Sequence, residues 1–284
     1  MSAIRGINLR SGDLAEQLGL LLMQNLALVV PVPRTEDVGV DAVVTLLHEH
    51  DSRRLIASDS FFVQLKARSV ESIEYVGHEV QWLYGLELPF FIGSIEKSTS
   101  SIRLYCCHRL SDALITNFER QKIVIHLAAE VQPDDFVDAS TYDVYVGPPI
   151  LEWTLAQANE KRIQALFYET CRAHVHAYRG ALETRRVGHV PFLSWGTNSH
   201  LKNLGWKTIC SRSPSEQIDD IADILMPYFD MLIKESVRAK DSRWLKELKS
   251  LIDGYLELID TISHRKDSDV QDDIEGKHGR QDHE

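Results

Sequence analysis

Residues 37–69 read DVGVDAVVTLLHEHDSRRLIASDSFFVQLKARS, and two apolar runs inside this stretch decide the architecture. Residues 39–47 (GVDAVVTLL) and 61–67 (FFVQLKA) are dense in β-branched and aromatic side chains, with the polar run 48–59 between them. Two such runs joined by a polar loop predict an antiparallel strand pair with its hairpin turn in the polar run. The strand period of two sends Val63 and Leu65 toward a core and leaves Gln64 and Lys66 together on the other face. A lysine inside an apolar strand must face water at an edge or lie opposite an acid, because an unpaired buried ammonium is costly. Asp41, at the start of the first strand, is the acid that a twisted hairpin brings beside Gln64 and Lys66. Glu16 reaches the same place if its helix packs across the sheet.

Upstream, Leu14, Leu18, Leu21, Leu22 and Asn25 follow a helical spacing, predicting a helix over 14–26 capped by Ser11 or Asp13. Residues 27–32 read as a short strand, stopped by Pro31 and Pro33. Downstream, Ser69 or Ser72 is expected to begin a helix carrying Val76, Val80, Trp82 and Leu83. Residues 88–95 (LPFFIGSI) read as a buried strand, 102–107 (IRLYCC) as its neighbour, and 123–127 as the closing segment. The remainder reads differently. Gly147, Pro148 and Pro149 form a breaker, and a long helix is expected over 151–178, with 187–195 extended or irregular. Ser213, Pro214 and Glu216 make a helix start, and 218–262 is mostly helical with a break near 239–242. The expected fold is α/β: a mixed sheet core flanked by helices, followed by a mainly helical C-terminal region. The corresponding domains are 1–130, 131–264 and a disordered polar tail over 265–284.

Composition narrows the function. A chain of 284 residues with 44% hydrophobic and 26% charged residues buries a core and is not globally disordered. Four cysteines show neither a disulfide framework nor zinc spacing. The lack of an 18-residue apolar span argues against a membrane protein, and the expectation is a cytoplasmic location. The net charge of −11 argues against a basic coat on nucleic acid, but leaves room for a small site that touches it locally.

Chemically, the carboxylate of Asp41, the amide oxygen of Gln64 and the carbonyl of Leu65 suffice for a hard divalent cation, with Glu16 binding directly or through water. Mg²⁺ (or Mn²⁺) takes such oxygen donors and keeps several waters. Lys66 would then orient the attacking water or steady a phosphate. These residues, D…QxK with an early glutamate, resemble the PD-(D/E)XK phosphodiesterase superfamily, in the restriction-endonuclease-like branches whose second motif reads QxK. The phrase GVD, then FFVQLKARS and LPFFIGSI, looks like the DUF4365 family assigned to that superfamily, over about residues 10–110. The resemblance implies a restriction-endonuclease-like fold with active-site roles for Glu16, Asp41, Gln64 and Lys66, and Asp37 as a further acid. It also implies a metal-dependent nuclease acting on DNA, with RNA left open, in restriction or anti-phage defence. The C-terminal helices would serve a homodimer or a partner protein. The alternative is an inactive nuclease-fold binding or scaffold subunit of a multi-protein defence assembly.

Plainer readings stand beside these. Asp41 could pair with Arg68 or Lys66 at a sheet edge, Glu16 could be a solvated helix residue, and Asp37 a turn former. Gln81 and Arg68 fit either phosphate contact or ordinary surface. His174 and His176 lie two apart on a helix and so face different directions. Cys106, Cys107 and His108 look like strand filling and a turn. Gly77, Gly85 and Gly93 form no phosphate loop. Arg179, Arg185 and Arg186 fit a nucleic-acid contact or a solvated patch, and Trp153, Trp195, Trp206 and Trp244 fit core or interface.

Overall fold

The computed structural model describes residues 7–33, 39–51, 54–127, 137–195, 200–208, 214–238, 243–244 and 246–257. The chain divides into two compact units: one reaches residue 209 without 186–188, and the other comprises 186–188 and the chain from 210 onward. In chain order the first unit contains α1 (Ile7–Gln24), β1 (Ala27–Pro31), β2 (Ala42–Asp51), β3 (Arg54–Ala67), β4 (Ser72–Val76), α2 (His78–Gly85), β5 (Phe90–Glu96) and β6 (Ser101–Cys106). Then come α3 (Arg109–Thr116), β7 (Lys122–His126), β8 (Asp143–Tyr145), β9 (Leu151–Thr154), α4 (Lys161–Thr184), β10 (His189–Ser194) and β11 (Lys202–Thr208).

A six-stranded sheet ordered β1-β2-β3-β5-β6-β9 forms the centre. Its pairs are antiparallel except β3–β5, which run parallel from Phe62↔Phe90 to Ala67↔Ile95. The alternation in β3 works as the sequence implies: Phe61, Val63 and Leu65 are buried, and Phe61 packs on Phe91 with ring centroids 4.4 Å apart. α1 covers this face, so closely that a Cβ on Gly19 would lie 2.9 Å from the Leu65 side chain. α4 covers it further along, where Asp59 of β3 meets His176 and Arg179. The opposite face, that of Phe62 and Phe90, is covered by α2, where Trp82 stands edge-on to Phe90 at 6.2 Å. There β4, β7 and β8 form a separate three-stranded sheet. β9 joins the central sheet at its β6 edge and Trp153 packs on Phe167 of α4, so the chain on either side of residue 130 shares one core. A mixed sheet core flanked by helices and followed by a mainly helical C-terminal region is therefore the architecture. Helix α5 (Pro214–Arg238) begins at the proline that marked it, and helix resumes over 243–244 and 246–257.

Four expectations are corrected. The first helix starts at Ile7, so Ser11 and Asp13 lie within it and neither caps it. The hairpin turn expected in 48–59 is there, but the strands run further into it than 47 and 61: β2 continues to Asp51 and β3 restarts at Arg54, with Arg54–Ser58 exposed. Polarity there reports a hairpin projecting into solvent, since a ladder satisfies its backbone whatever its side chains face. The expected helix from Ser69 or Ser72 is strand β4 followed by α2. The positive φ of Gly77 (58°) separates them, and Ser72–Val76 pairs with β7. The helix expected over 151–178 starts at Lys161, because Leu151–Thr154 pairs with β6 as β9. The extended stretch 187–195 is β10, one arm of a hairpin with β11. The tail over 265–284 lies outside the described residues.

Gly93 sits where β5, Leu65 and Ile102 converge, and an added Cβ would meet their side chains at 2.8 and 2.9 Å. Overpacking of this kind costs about 1–3 kcal/mol. Gly93→Ala should lower the unfolding free energy by that amount, read as a lower urea midpoint at an unchanged m-value; an unaltered midpoint would mean that the Leu65–Ile102 contact yields freely.

Candidate functional site

The site begins where the β2–β3 ladder ends. The Asp41 N–H donates to Val63 O at 2.9 Å, and Asp41 O accepts Val32 N–H at 2.9 Å, tying the residue to β3 and to the end of β1. The Asp41 carboxylate then accepts the Leu65 N–H at 2.5 Å, occupying the position that a backbone acceptor of a longer β2 would hold. Gly39, at φ +82°, makes the turn into Asp41 and lies against Trp82, whose ring is 3.1 Å from where a Cβ would stand.

Backbone direction identifies a second oxygen. Phe62 N–H donates to Pro89 O and Arg68 N–H to Ile95 O, so the even-numbered residues of β3 turn their peptide groups toward β5. Residues between them turn theirs to the other edge. The Leu65 carbonyl therefore points to the edge where Asp41 caps its N–H. Gln64 is buried at 7% exposure, and the Tyr75 hydroxyl donates to its Oε1 at 2.7 Å. Burial pushes the Tyr75 phenol well above its ordinary pKa, with Cys107, Asp41 and Glu79 adding to the effect. The phenol thus stays protonated, and keeps donating, throughout the neutral range.

Gln64 and Lys66 open on a cleft of about 500 Å³ whose other walls are Gly39, Ile73, Glu74, Tyr75, His78, Glu79 and Trp82. Two of its acids are committed locally: Glu79 accepts Val76 N–H at 2.9 Å, and Glu74 pairs with Lys122 at 3.0 Å. Glu16 lines a second pocket with Gln17, Leu20, Leu21, Gln24, Pro31 and Val32 on the α1 side of the sheet. The two pockets approach the Asp41 strand end from opposite faces, since Val32 is the residue bonded to the Asp41 carbonyl. Asp37 lies outside the described residues.

The donors at the strand end are a carboxylate, an amide oxygen and a peptide carbonyl, all hard, and they fit a cation such as Mg²⁺ better than a soft metal. Among the described residues no group of three or more His, Cys, Asp or Glu side chains is gathered to hold a metal ion. Any cation held by these three donors would meet one protein carboxylate, that of Asp41.

The remaining candidates resolve into structure. His174 is buried with both ring nitrogens unpartnered, edge-on to Trp195 at 4.9 Å, and burial lowers its pKa to about 3. His108 packs on the same indole at 4.8 Å and is also held neutral by burial. His176 points elsewhere, to Asp59 at 2.9 Å. Arg179 joins the same carboxylate at 3.1 Å, while buried Arg185 donates to the carbonyls of Tyr84 and Leu86 and anchors the end of α2. Cys106 and Cys107 are buried, and burial raises both thiol pKa values. Trp153 and Trp195 are core residues; Trp206 and Trp244 are exposed.

Sequence reasoning missed Tyr75, Glu74, His78 and Glu79. The available signal was the alternation in SIEYV ahead of Gly77, which marks a strand and a turn, not the first turns of a helix. Among the described residues no helix is long and apolar enough to cross a membrane. Compared with known protein families, with curated proteins and with solved structures, the chain matches none.

Tyr75→Phe removes the donor to a buried amide oxygen and should cost about 1–2 kcal/mol in a denaturant titration; a neutral result would mean that water replaces the phenol. His174 has a folded pKa of about 3 against 6.5 for the unconstrained group, so the unfolded chain takes up its proton first as pH falls. Its contribution to stability is complete above pH 6.5 and is lost as pH drops toward 3. Thermal melts of His174→Phe at pH 7 and pH 4 should show a smaller loss on acidification than in the parent chain.

Proposed function

We propose that this chain is a metal-dependent nuclease that hydrolyses phosphodiester bonds of DNA at the open end of β2 and β3. The observation carrying this reading is that the Asp41 carboxylate, the Leu65 peptide, the Gln64 amide and Lys66 share one strand end beside an open cleft. Asp41, Gln64 Oε1 and the Leu65 carbonyl would hold Mg²⁺ or Mn²⁺, with Glu16 assigned an outer position through water. Such an ion, when bound, polarises the phosphodiester and offsets charge that builds on it.

The chain's own groups then have distinct tasks. Tyr75 fixes the Gln64 amide so that its oxygen orientation does not vary with pH. The hydrogen bond from the Leu65 N–H holds the Asp41 side chain to one edge of β3. Lys66 supplies the positive charge that draws the phosphate into an otherwise acidic chain, and either orients the incoming water or steadies a non-bridging oxygen. Water adds to phosphorus in line as the bond to the leaving sugar oxygen breaks. The wall formed by Trp82, Tyr75 and His78 is suited to flank a nucleotide. A role in restriction or anti-phage defence belongs to the same proposal and rests on the motif resemblance alone.

A second reading, an inactive nuclease-fold subunit that binds or scaffolds, is favoured by one observation: Glu16 lines a different pocket from Gln64 and Lys66. The test is cleavage of linear, supercoiled and single-stranded DNA and of RNA with Mg²⁺ or Mn²⁺. Activity on DNA should fall about 100-fold or more in Lys66→Ala and in Asp41→Asn, which keeps an acceptor for Leu65. Equal activity in both variants would refute the assignment; inactivity of the parent chain on every substrate would favour the second reading.

A further inference from the structure

The second compact unit contains α5 and the helix resuming at 243. Phe229 and Tyr255 lie with ring centroids 5.9 Å apart. One uninterrupted helix would hold them about 39 Å apart. The two helical stretches therefore lie side by side and antiparallel, with Arg238 and Arg243 at the closed end and Pro214 and residue 257 toward the open end.

Charge divides along this hairpin. At the open end, residues 214–226 carry Glu216, Asp219, Asp220 and Asp223 and residues 250–257 carry Asp253 and Glu257, with no base in either stretch. The closed end, over the described residues of 234–238 and 243–249, carries five bases (Lys234, Arg238, Arg243, Lys246 and Lys249) against two acids. The closed end is net +3 and the open end −6. Along the hairpin, apolar side chains stand exposed at helical spacing. Ile224, Tyr228 and Met231 are 40, 59 and 53% exposed on α5, and Trp244 and Leu251 are 59 and 60% exposed on its neighbour. Spacings of four, three and seven residues are those of a helix-packing seam.

We infer that this face docks a second copy of the chain, the two hairpins packing antiparallel into a four-helix bundle about a two-fold axis. An isologous contact requires a surface complementary to itself. A hairpin acidic at one end and basic at the other satisfies that requirement when inverted against its copy: each acidic end meets a basic end, and the apolar stripes meet along its length. A parallel arrangement would set like charges together. The inference concerns the second unit alone and does not depend on the nuclease reading.

Sedimentation velocity on the full chain at low and high salt tests it. The parent chain should be a dimer that weakens as salt rises. Asp220→Lys with Asp223→Lys, and separately Lys246→Glu with Lys249→Glu, should each raise the dimer Kd at least about tenfold at low salt. All four positions are on the hairpin surface, and unchanged circular dichroism would show that both variants fold. An equimolar mixture of the two variants should recover a heterodimer, and the chain carrying all four substitutions should again self-associate. A monomeric parent chain at tens of micromolar, dimers equally tight in both variants, or failure of the mixture to pair would each overturn the inference.

Discussion

Strands β3 and β5 run parallel, and parallel neighbours cannot be joined by a tight turn. The chain leaving Ala67 has to travel back across one face of the sheet before it enters β5 at Phe90. That crossover carries β4 and α2, and the face it covers is the one that Gln64 and Lys66 share. Trp82 against Phe90 fixes how closely α2 can lie, and β4 brings Tyr75 over Gln64. A hairpin connection in its place would leave Gln64 with no phenol above it and the cleft with no outer wall.

Leu65 joins this arrangement to the core. Its side chain fills the space left by Gly19 and Gly93, while its N–H is held by Asp41. The residue thus touches α1, β5 and the candidate site at once, and the position of the Asp41 carboxylate is set by packing on the far face of the sheet. Gln64 is held from above and Leu65 from below, so the peptide between them has little freedom to move.

The motif strands were legible because their two faces differ chemically: buried Val63 and Leu65 alternate with Gln64 and Lys66, and a period of two survives in the sequence. β5 and β6 were legible as short apolar runs. The crossover was not, because Val76, Val80, Trp82 and Leu83 satisfy a helical spacing that runs back across the strand–helix junction, and the deciding feature is the backbone of Gly77. β9 was lost for a related reason. LEWT joins directly onto helix-forming residues, and only its partner β6, some fifty residues away, makes it a strand. The hairpin in 48–59 was legible but the length of its strands was not, because solvent-facing strand side chains have the composition of a loop. At the site, the sequence pointed to Asp41, Gln64 and Lys66 as neighbours but could not assign Glu16 to a face, since that depends on which side of the sheet α1 covers.

Cys106, Cys107 and Cys171 are free thiols, all fully enclosed at the junction of β6, α3 and α4. Burial holds each of them in the unreactive protonated form. An alkylating reagent can reach them only when that junction opens, so their labelling follows the breathing of the core and not the chemistry of the surface. The protein in effect carries its own clock for local unfolding, set in its core.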